Sequence, residues 1–400
     1  MRVAVVSNLF PPGAKGGAEI FASDLCEELG KRGFTIHVFT SSARESGTRR
    51  EGSVTVHRFR STPPALRLTS DFLGYNINPW SRGLVRALQT GRFDLIHIHN
   101  INSTVMLLPL LHALRGPVVC HVHDHWPVCY RGTLFDSWNR VPCERLQPTC
   151  CFDPAHRLIG RINLKFRSKL VGALESRTSI FIVPSIYMKD TLLKREFTEN
   201  DKIEVLRLGV NLAAIPKRRD ALVPQFVFAG RLVFYKNPRF IIELLARGKL
   251  PKNVVFKVLG DGPEISYLRS KAKLVGSNRL QVLGALPRMR VLDEMAHSRG
   301  LLVPSIIPEN SPLSIYEALA CGTPVACTSA GGAKELIQES GGGEVLNLEE
   351  GERWDVLLTS LLDDSTFEKY SERALDFAQR GLGIGHVADK VAKIYDCIVR

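Results

Sequence analysis

Short runs of aliphatic and β-branched residues alternate along the chain with segments whose apolar positions recur every three or four residues. In the first half RVAVVS (2–7), TIHVFT (35–40), DLIHIHN (94–100), VVCHVHD (118–124) and SIFIVPS (179–185) predict strands. In the second half FVFAGR (226–231), VVFKVLGDG (254–262), LQVLGA (280–285), LLVPS (301–305) and PVACTS (324–329) do the same. Most of these runs are continuously apolar, not alternating. That is the pattern of strands covered on both faces, and it predicts parallel sheets packed between helices. EIFASDLCEELGKRG (19–33) has helical periodicity and closes on Gly33, a residue suited to a helix stop. Strand–helix alternation at this pitch predicts an α/β fold of doubly wound units.

There are two such sets. NLAAIPKRRDALVP (211–224), polar, basic and bounded by Pro216 and Pro224, reads as the linker. HVADKVAKIYDCIVR (386–400) places Val387, Val391, Ile394, Tyr395 and Ile398 on one helical face. The expected division is a first domain over 1–205, a second over 206–375, and a terminal helix over 376–400 packing back towards the first. Two such domains predict a cleft at the carboxyl ends of their strands, where open α/β sheets bind ligands. An apolar fraction of 44% and a charged fraction of 23% exclude a disordered or collagen-like chain. No run approaches the roughly 20 apolar residues of a membrane span. The apolar start breaks at Pro11-Pro12, too early for a secretory leader. The expectation is a soluble, cytoplasmic protein.

Charge alters this picture in one respect. Residues 1–200 carry 26 basic against 16 acidic side chains, and residues 201–400 carry 27 against 24, so most of the net +13 lies in the first half. Arg157, Arg161, Lys165 and Lys169 recur every four residues between Leu158, Ile159, Ile162, Phe166 and Leu170. This basic amphipathic helix fits an anionic membrane surface, or a packed helix with a solvated basic face. It allows peripheral placement on the inner face of a membrane. Nine cysteines form no even disulfide framework. Cys26, Cys120, Cys321, Cys327 and Cys397 read as inert core thiols. Cys129, Cys143, Cys150 and Cys151 lack paired zinc-knuckle spacing and read as thiols, with a structural zinc or a disulfide as alternatives. Trp126, Tyr130, Phe135 and Trp138, in the same segment, form either an acceptor-side lid or a small satellite core.

The most informative stretch is LLVPSIIPENSPLSIYEALACGTPVACTSAGGAKELI (301–337). A strand ends in an irregular loop, and a helix starts near Ser311-Pro312 and stops near Gly322. Backbone N–H groups around Asn310 to Leu313 offer an anion site suited to a diphosphate. Glu309 and Glu317 suit hydroxyl donors such as a sugar and a ribose. Arg231 and Lys236 follow a strand ending in Gly230 and can neutralise a diphosphate. Gly16 and Gly17 permit close backbone approach after the first strand. His121, His123 and His125 alternate and invite a metal reading, but packed or hydrogen-bonded imidazoles are the expectation.

The E-x7-E spacing followed by ALACGTPV resembles retaining nucleotide-sugar glycosyltransferases of the GT-B fold, glycosyltransferase family four. GGAE (16–19), VCHVHDHW (119–126), IVPS (182–185), RLGVN (207–211), AGRLVFYKN (229–237) and VLGDGPE (258–264) fit the same family in the same order, with Leu208 where Asn is usual. The resemblance covers nearly the whole chain and implies two Rossmann-like domains. It implies transfer of a sugar from a nucleotide-diphosphate sugar to a glycan or lipid-linked acceptor, with retention, in cell-surface polysaccharide or glycoconjugate synthesis. It implies catalytic roles for His123, Arg231, Lys236 and Glu309. Donor contacts fall to Gly16, Gly17, Gly230, Gly260, Asn310, Ser311, Pro312, Leu313 and Glu317. No cofactor and no nucleic acid are expected, and no catalytic metal either, since no DxD-like pair sits among these motifs. The rivals are a nucleotide-sugar epimerase on the same fold, and a non-catalytic basic adaptor for membrane or nucleic acid.

Overall fold

The computed structural model describes residues 1–13, 16–42, 45–60, 81–99, 111, 114–129, 131–136, 141–143, 157–216, 223–276, 278–329 and 331–400, the side chains of 81–82, 141–142, 157–164 and 166 excepted. The chain divides into two compact units: Met1–Arg207 with Ile384–Arg400, and Leu208–Gly383. The boundaries therefore fall at 207/208 and 383/384, not at 205/206 and 375/376. Of the expected linker (211–224), residues 217–222 fall outside the described residues, and the described remainder belongs to the second unit. Just before it, Val210 donates its N–H to Leu382 O at 2.8 Å and pairs with Gly383 at the end of that unit.

The first unit holds β1 (Arg2–Ser7), β2 (Thr35–Ser42), β3 (Gly47–Glu51), β4 (Val54–Arg60), β5 (Leu95–His99), β6 (Val118–His121), β9 (Ile180–Val183) and β10 (Ile203–Val205) in one sheet, ordered β10-β9-β6-β5-β1-β2-β4-β3. Every pairing is parallel except β3 on β4. The short strands β7 (Phe135–Asp136) and β8 (Val141–Pro142) pair apart from it. Its helices are α1 (Gly17–Lys31), α2 (Ser81–Thr90), α3 (Arg157–Glu175), α4 (Ile186–Lys194) and, from the end of the chain, α12 (Ile384–Val399). One core contains Ala4, Val6, Ile96, Ile98, Val118 and Cys120 with Leu84, Leu170 and Leu174. Alternation sends His97, His99 and His121 to the opposite face, where Phe21 of α1 and Tyr395 of α12 meet them.

The second unit carries β11 (Gln225–Ala229), β12 (Val255–Leu259), β13 (Leu280–Gly284), β14 (Gly300–Val303), β15 (Val325–Thr328) and β16 (Gly343–Leu346), all parallel, ordered β13-β12-β11-β14-β15-β16. Its helices are α5 (Phe240–Arg247), α6 (Ile265–Val275), α7 (Arg288–Ala296), α8 (Leu313–Ala320), α9 (Gly332–Ser340), α10 (Gly351–Ser360) and α11 (Asp364–Gly381). Phe226, Phe256, Leu268, Trp354 and Leu358 lie in its core. The strand order reverses beside β11: its neighbours are β12 on one side and β14 on the other. That reversal opens a crevice at the strand C-termini of an open parallel sheet.

Candidate functional site

In the second unit the expected residues converge at the carboxyl ends of β11, β12 and β14. After β11, Gly230 and Arg231 are exposed, and one helical turn (Phe234–Lys236) is closed by Asn237 in the left-handed region. Ile306 donates its N–H to Tyr235 O at 2.8 Å, fastening this turn to the loop after β14. That bond brings Lys236 to Glu309, and the two form a salt bridge. Arg231 stands over the Tyr235 ring, its Cζ 5.8 Å from the centroid. Gly260 follows β12 at φ +132°, and a Cβ there would lie 1.8 Å from Gly230 O. Only glycine permits this approach of the two strand ends.

Glu309 is buried, and its Oε1 accepts from Ser305 Oγ at 2.5 Å as well as from Lys236. Ser305 is itself held, its carbonyl accepting from Thr328 Oγ1 at 2.7 Å. Glu309 also bridges to Gly331, where a Cβ would lie 2.3 Å from Glu309 O. The loop is therefore pinned from three sides before α8 begins behind Pro312. Asn310 and Leu313 are buried at the helix start, and Ser311 Oγ lies 2.7 Å from Tyr316 OH. Glu317, buried on α8, accepts from Arg288 Nε at 3.0 Å.

Two expectations change here. Lys236 is not an open cation beside the helix start; its charge is matched by Glu309. Glu309 and Glu317 are not open carboxylates awaiting hydroxyls; each is buried against a base. Arg288, at the start of α7, was missed by the sequence reading. Its signal is the PRMR run (287–290) directly after β13, a strand end aimed at the same crevice.

In the first unit Gly16 precedes α1 in extended conformation, and a Cβ there would meet Glu19 Oε2 at 2.2 Å. Gly17 opens the helix. His123 is half-buried, its Nε2 3.0 Å from His99 Nδ1 and its ring stacked on His121 with centroids 4.5 Å apart. The alternating trio His121, His123, His125 does not assemble. β6 ends at His121, so the pleat that would align them stops, and His125 packs near Tyr187 instead. The trio that does assemble is His97, His99 and His121, one ring nitrogen from each lying within 4.8 Å of the others. His97 Nδ1 is 2.6 Å from Tyr395 OH. Among the described residues, Nε2 of His97, Nε2 of His99 and both nitrogens of His121 have no hydrogen-bond partner. A buried, unsatisfied polar group costs about 1–3 kcal/mol. Burial holds the four rings neutral: the pKa values of His97 and His123 are pushed down to about 3, and those of His99 and His121 well below the usual imidazole range.

The remaining expectations are placed as follows. Cys129 is a buried thiol and Cys143 lies at intermediate depth; Cys150 and Cys151 fall outside the described residues. Cys397 is exposed and is no core thiol. Trp126 is buried within the main core of the first unit and Phe135 is buried on β7, while Tyr130 and Trp138 fall outside the described residues. On α3, Lys165 and Lys169 are exposed, whereas Arg167 turns inward and donates to Trp126 O. The side chains of Arg157 and Arg161 fall outside those described. Among the described residues no helix is long and apolar enough to cross a membrane.

Residues 15–214 match the family model described as Glycosyltransferase Family 4, and residues 217–380 that described as Glycosyl transferases group 1. The chain is 24% identical over 427 residues to D-inositol 3-phosphate glycosyltransferase of Xylanimonas cellulosilytica, covering 98% of this chain and 96% of the relative. It is 28% identical over 353 residues to 2-deoxystreptamine N-acetyl-D-glucosaminyltransferase of Streptomyces fradiae, covering 81% of this chain and 77% of that one. Among solved structures, Anabaena Alr3699/HepE in complex with UDP-glucose superimposes with a TM-score of 0.73 at 18% identity, over 99% of this chain and 100% of the other. WaaG, a glycosyltransferase involved in lipopolysaccharide biosynthesis, gives 0.66 at 17%, over 98% and 99%. These likenesses establish the fold of two parallel-sheet α/β domains.

Proposed function

The chain belongs to glycosyltransferase family 4, and we propose that it transfers a sugar from a nucleotide-diphosphate sugar to a glycan or lipid-linked acceptor, with retention and without a metal at the donor site. The observation that carries this reading is the convergence of Arg231, Lys236, Glu309 and the start of α8 at the strand ends of one unit. UDP and UDP-glucose are bound by the structural neighbour from Anabaena, and a donor of that class fits these groups.

The first amides of α8 have no carbonyl within the helix to serve, and they carry the positive end of its dipole. A diphosphate settling there meets Arg231 and draws Lys236 from Glu309. The freed carboxylate then accepts from hydroxyls of the donor sugar. Lys236 passes from Glu309 to the diphosphate, and the sugar hydroxyls take its place on the buried carboxylate. As the glycosidic bond breaks, negative charge grows on the diphosphate against cations and dipoles already in place. The acceptor hydroxyl attacks from the face the diphosphate leaves, and a donor phosphate oxygen takes its proton. Glu317, fixed by Arg288, holds the ribose. Gly230 and Gly260 keep backbone close to the donor. The exposed Lys165 and Lys169 of α3 offer an anionic membrane surface a contact, consistent with a lipid-linked acceptor.

The test is a thermal-shift panel of UDP-, GDP- and ADP-sugars, followed by nucleotide release with and without candidate acceptors. One donor class should raise the melting temperature, because it binds only folded protein, and its nucleotide release should rise with acceptor. If no member of the panel shifts melting or is consumed, the reading falls.

A further inference from the structure

We propose that His97, His99 and His121 form a binding site for one divalent ion of the zinc class in the first unit, apart from the donor chemistry. The three rings come from neighbouring strands in fixed register: His99 lies opposite His121 on β5 and β6, and His97 shares the face of His99. All three are at most 1% exposed, and one ring nitrogen of each lies within 4.8 Å of the others. Tetrahedral zinc with Zn–N of about 2.0–2.1 Å sets its nitrogens about 3.4 Å apart, so small ring rotations close the set.

The hydrogen bonds on the far sides of the rings match what a ligated histidine needs. His97 has Nδ1 on the Tyr395 hydroxyl, and His99 has Nδ1 on His123 Nε2, so each leaves Nε2 for another partner. Those two Nε2 atoms and both nitrogens of His121 have no hydrogen-bond partner among the described residues. A metal-bound histidine uses one nitrogen for the ion and the other for a partner that fixes its tautomer. Three imidazoles suit zinc, cobalt, nickel or copper, and give magnesium and calcium little to bind. Three protein ligands leave a fourth position for water. The ion would join β5 to β6 and, through His97 and Tyr395, hold the terminal helix α12 on the sheet. Because His99 also holds His123, a loaded site would steady that ring.

The full chain is stripped with a chelator and titrated with Co(II), then with Zn(II). The expected result is about one equivalent of metal per chain, the visible bands of tetrahedral Co(II), and a higher melting temperature with Zn(II). His121→Ala should reduce uptake to under about a tenth of an equivalent, and Tyr395→Phe should weaken affinity roughly 10–100-fold. Wild-type protein that takes up no Co(II) and melts unchanged with Zn(II) overturns the proposal, whether or not either variant folds. So does uptake undiminished in a folded His121→Ala variant. The first of these outcomes would leave buried water as the partner of the bare nitrogens. None of these readouts involves sugar transfer, so the site stands or falls separately from the proposed reaction.

Discussion

The two units bury polar chemistry in opposite ways. Ten of the eleven histidines belong to the first unit, and four of them stack face to face or edge to edge beneath α1 and α12. They are uncharged rings. The second unit buries carboxylates, and each is set against a base: Glu309 with Lys236, Glu317 with Arg288, Glu294 with Lys257, Asp355 with Arg247. A neutral ring tolerates burial at neutral pH without a counterion, but it loses that tolerance when protonated. A buried ion pair depends on both partners remaining, since either one left alone is an uncompensated charge. The neutral rings are therefore sensitive to protons, and the ion pairs to loss of a partner.

The largest expected effect is acid destabilisation that begins in the first unit. His97 and His123 refuse a proton in the folded chain until about pH 3, whereas unfolded imidazole accepts one near 6.5. The unfolded state thus binds more protons below 6.5, and the stability these rings contribute is present above that value and lost as pH falls towards 3. At pH 5 each ring removes about 2 kcal/mol, so the pair removes about 4 kcal/mol. His37, lowered to about 4 chiefly by burial, and His57 act in the same direction. In chelator-treated protein, amide exchange corrected for its intrinsic rate should lose protection in β1 and β5 before β11. Equal loss in both units would erase the contrast.

Substitution in the second unit comes next. Arg231→Ala or Lys236→Ala is expected to remove roughly 2–4 kcal/mol of transition-state stabilisation, measured as kcat/KM for the donor found by the panel. Lys236→Ala also leaves the Glu309 carboxylate buried with Ser305 alone, so its melting temperature should fall, while that of Arg231→Ala, exposed over Tyr235, should hold. Unchanged turnover in both variants would remove the leaving-group role. Gly260→Ala should cost about 2 kcal/mol of stability, because the new methyl meets Gly230 O and the backbone sits at positive φ. Denaturant unfolding checks it, and an unaltered midpoint would mean the strand ends separate freely.

The contrast also shows what a sequence can reveal. Continuous apolar runs disclosed the central strands of both sheets, since a doubly covered strand has no polar face to disguise it. The β3–β4 pair at the sheet edge escaped, because GTRRE is exposed and polar along its whole length. β10 is only three residues long, and β16, GEVL, opens on a glycine and a glutamate that break its apolar run. The donor-side residues were legible because each follows a strand end or opens a helix within a few positions. Their partners were not. Lys236 meets Glu309 across 73 positions and Arg288 meets Glu317 across 29, and both pairings depend on how far the loops after β11, β13 and β14 return. The histidine alternation was visible, yet the set that assembles depends on β6 ending at His121, a boundary no periodicity fixes.

The smallest effect sharpens the comparison most. Arg288 and Glu317 form a pair in which the arginine is 27% exposed and the glutamate 8%. If the pair serves only stability, Arg288→Lys should restore what Arg288→Ala loses, because a lysine can neutralise the same carboxylate. If Arg288 positions Glu317 for the ribose, lysine is a poor substitute. A guanidinium holds a carboxylate through a planar fork, whereas an ammonium offers a point charge on a flexible stem. Arg288→Ala should then raise the donor KM by about fivefold with kcat within about twofold, near 1 kcal/mol of binding shared by ground and transition states. Arg288→Lys should recover the melting temperature but less than half of the KM change. A lysine variant that recovers both would make Arg288 a structural counterion, and the second unit's pairs would then be read as architecture, with the donor held by Arg231, Lys236 and the start of α8.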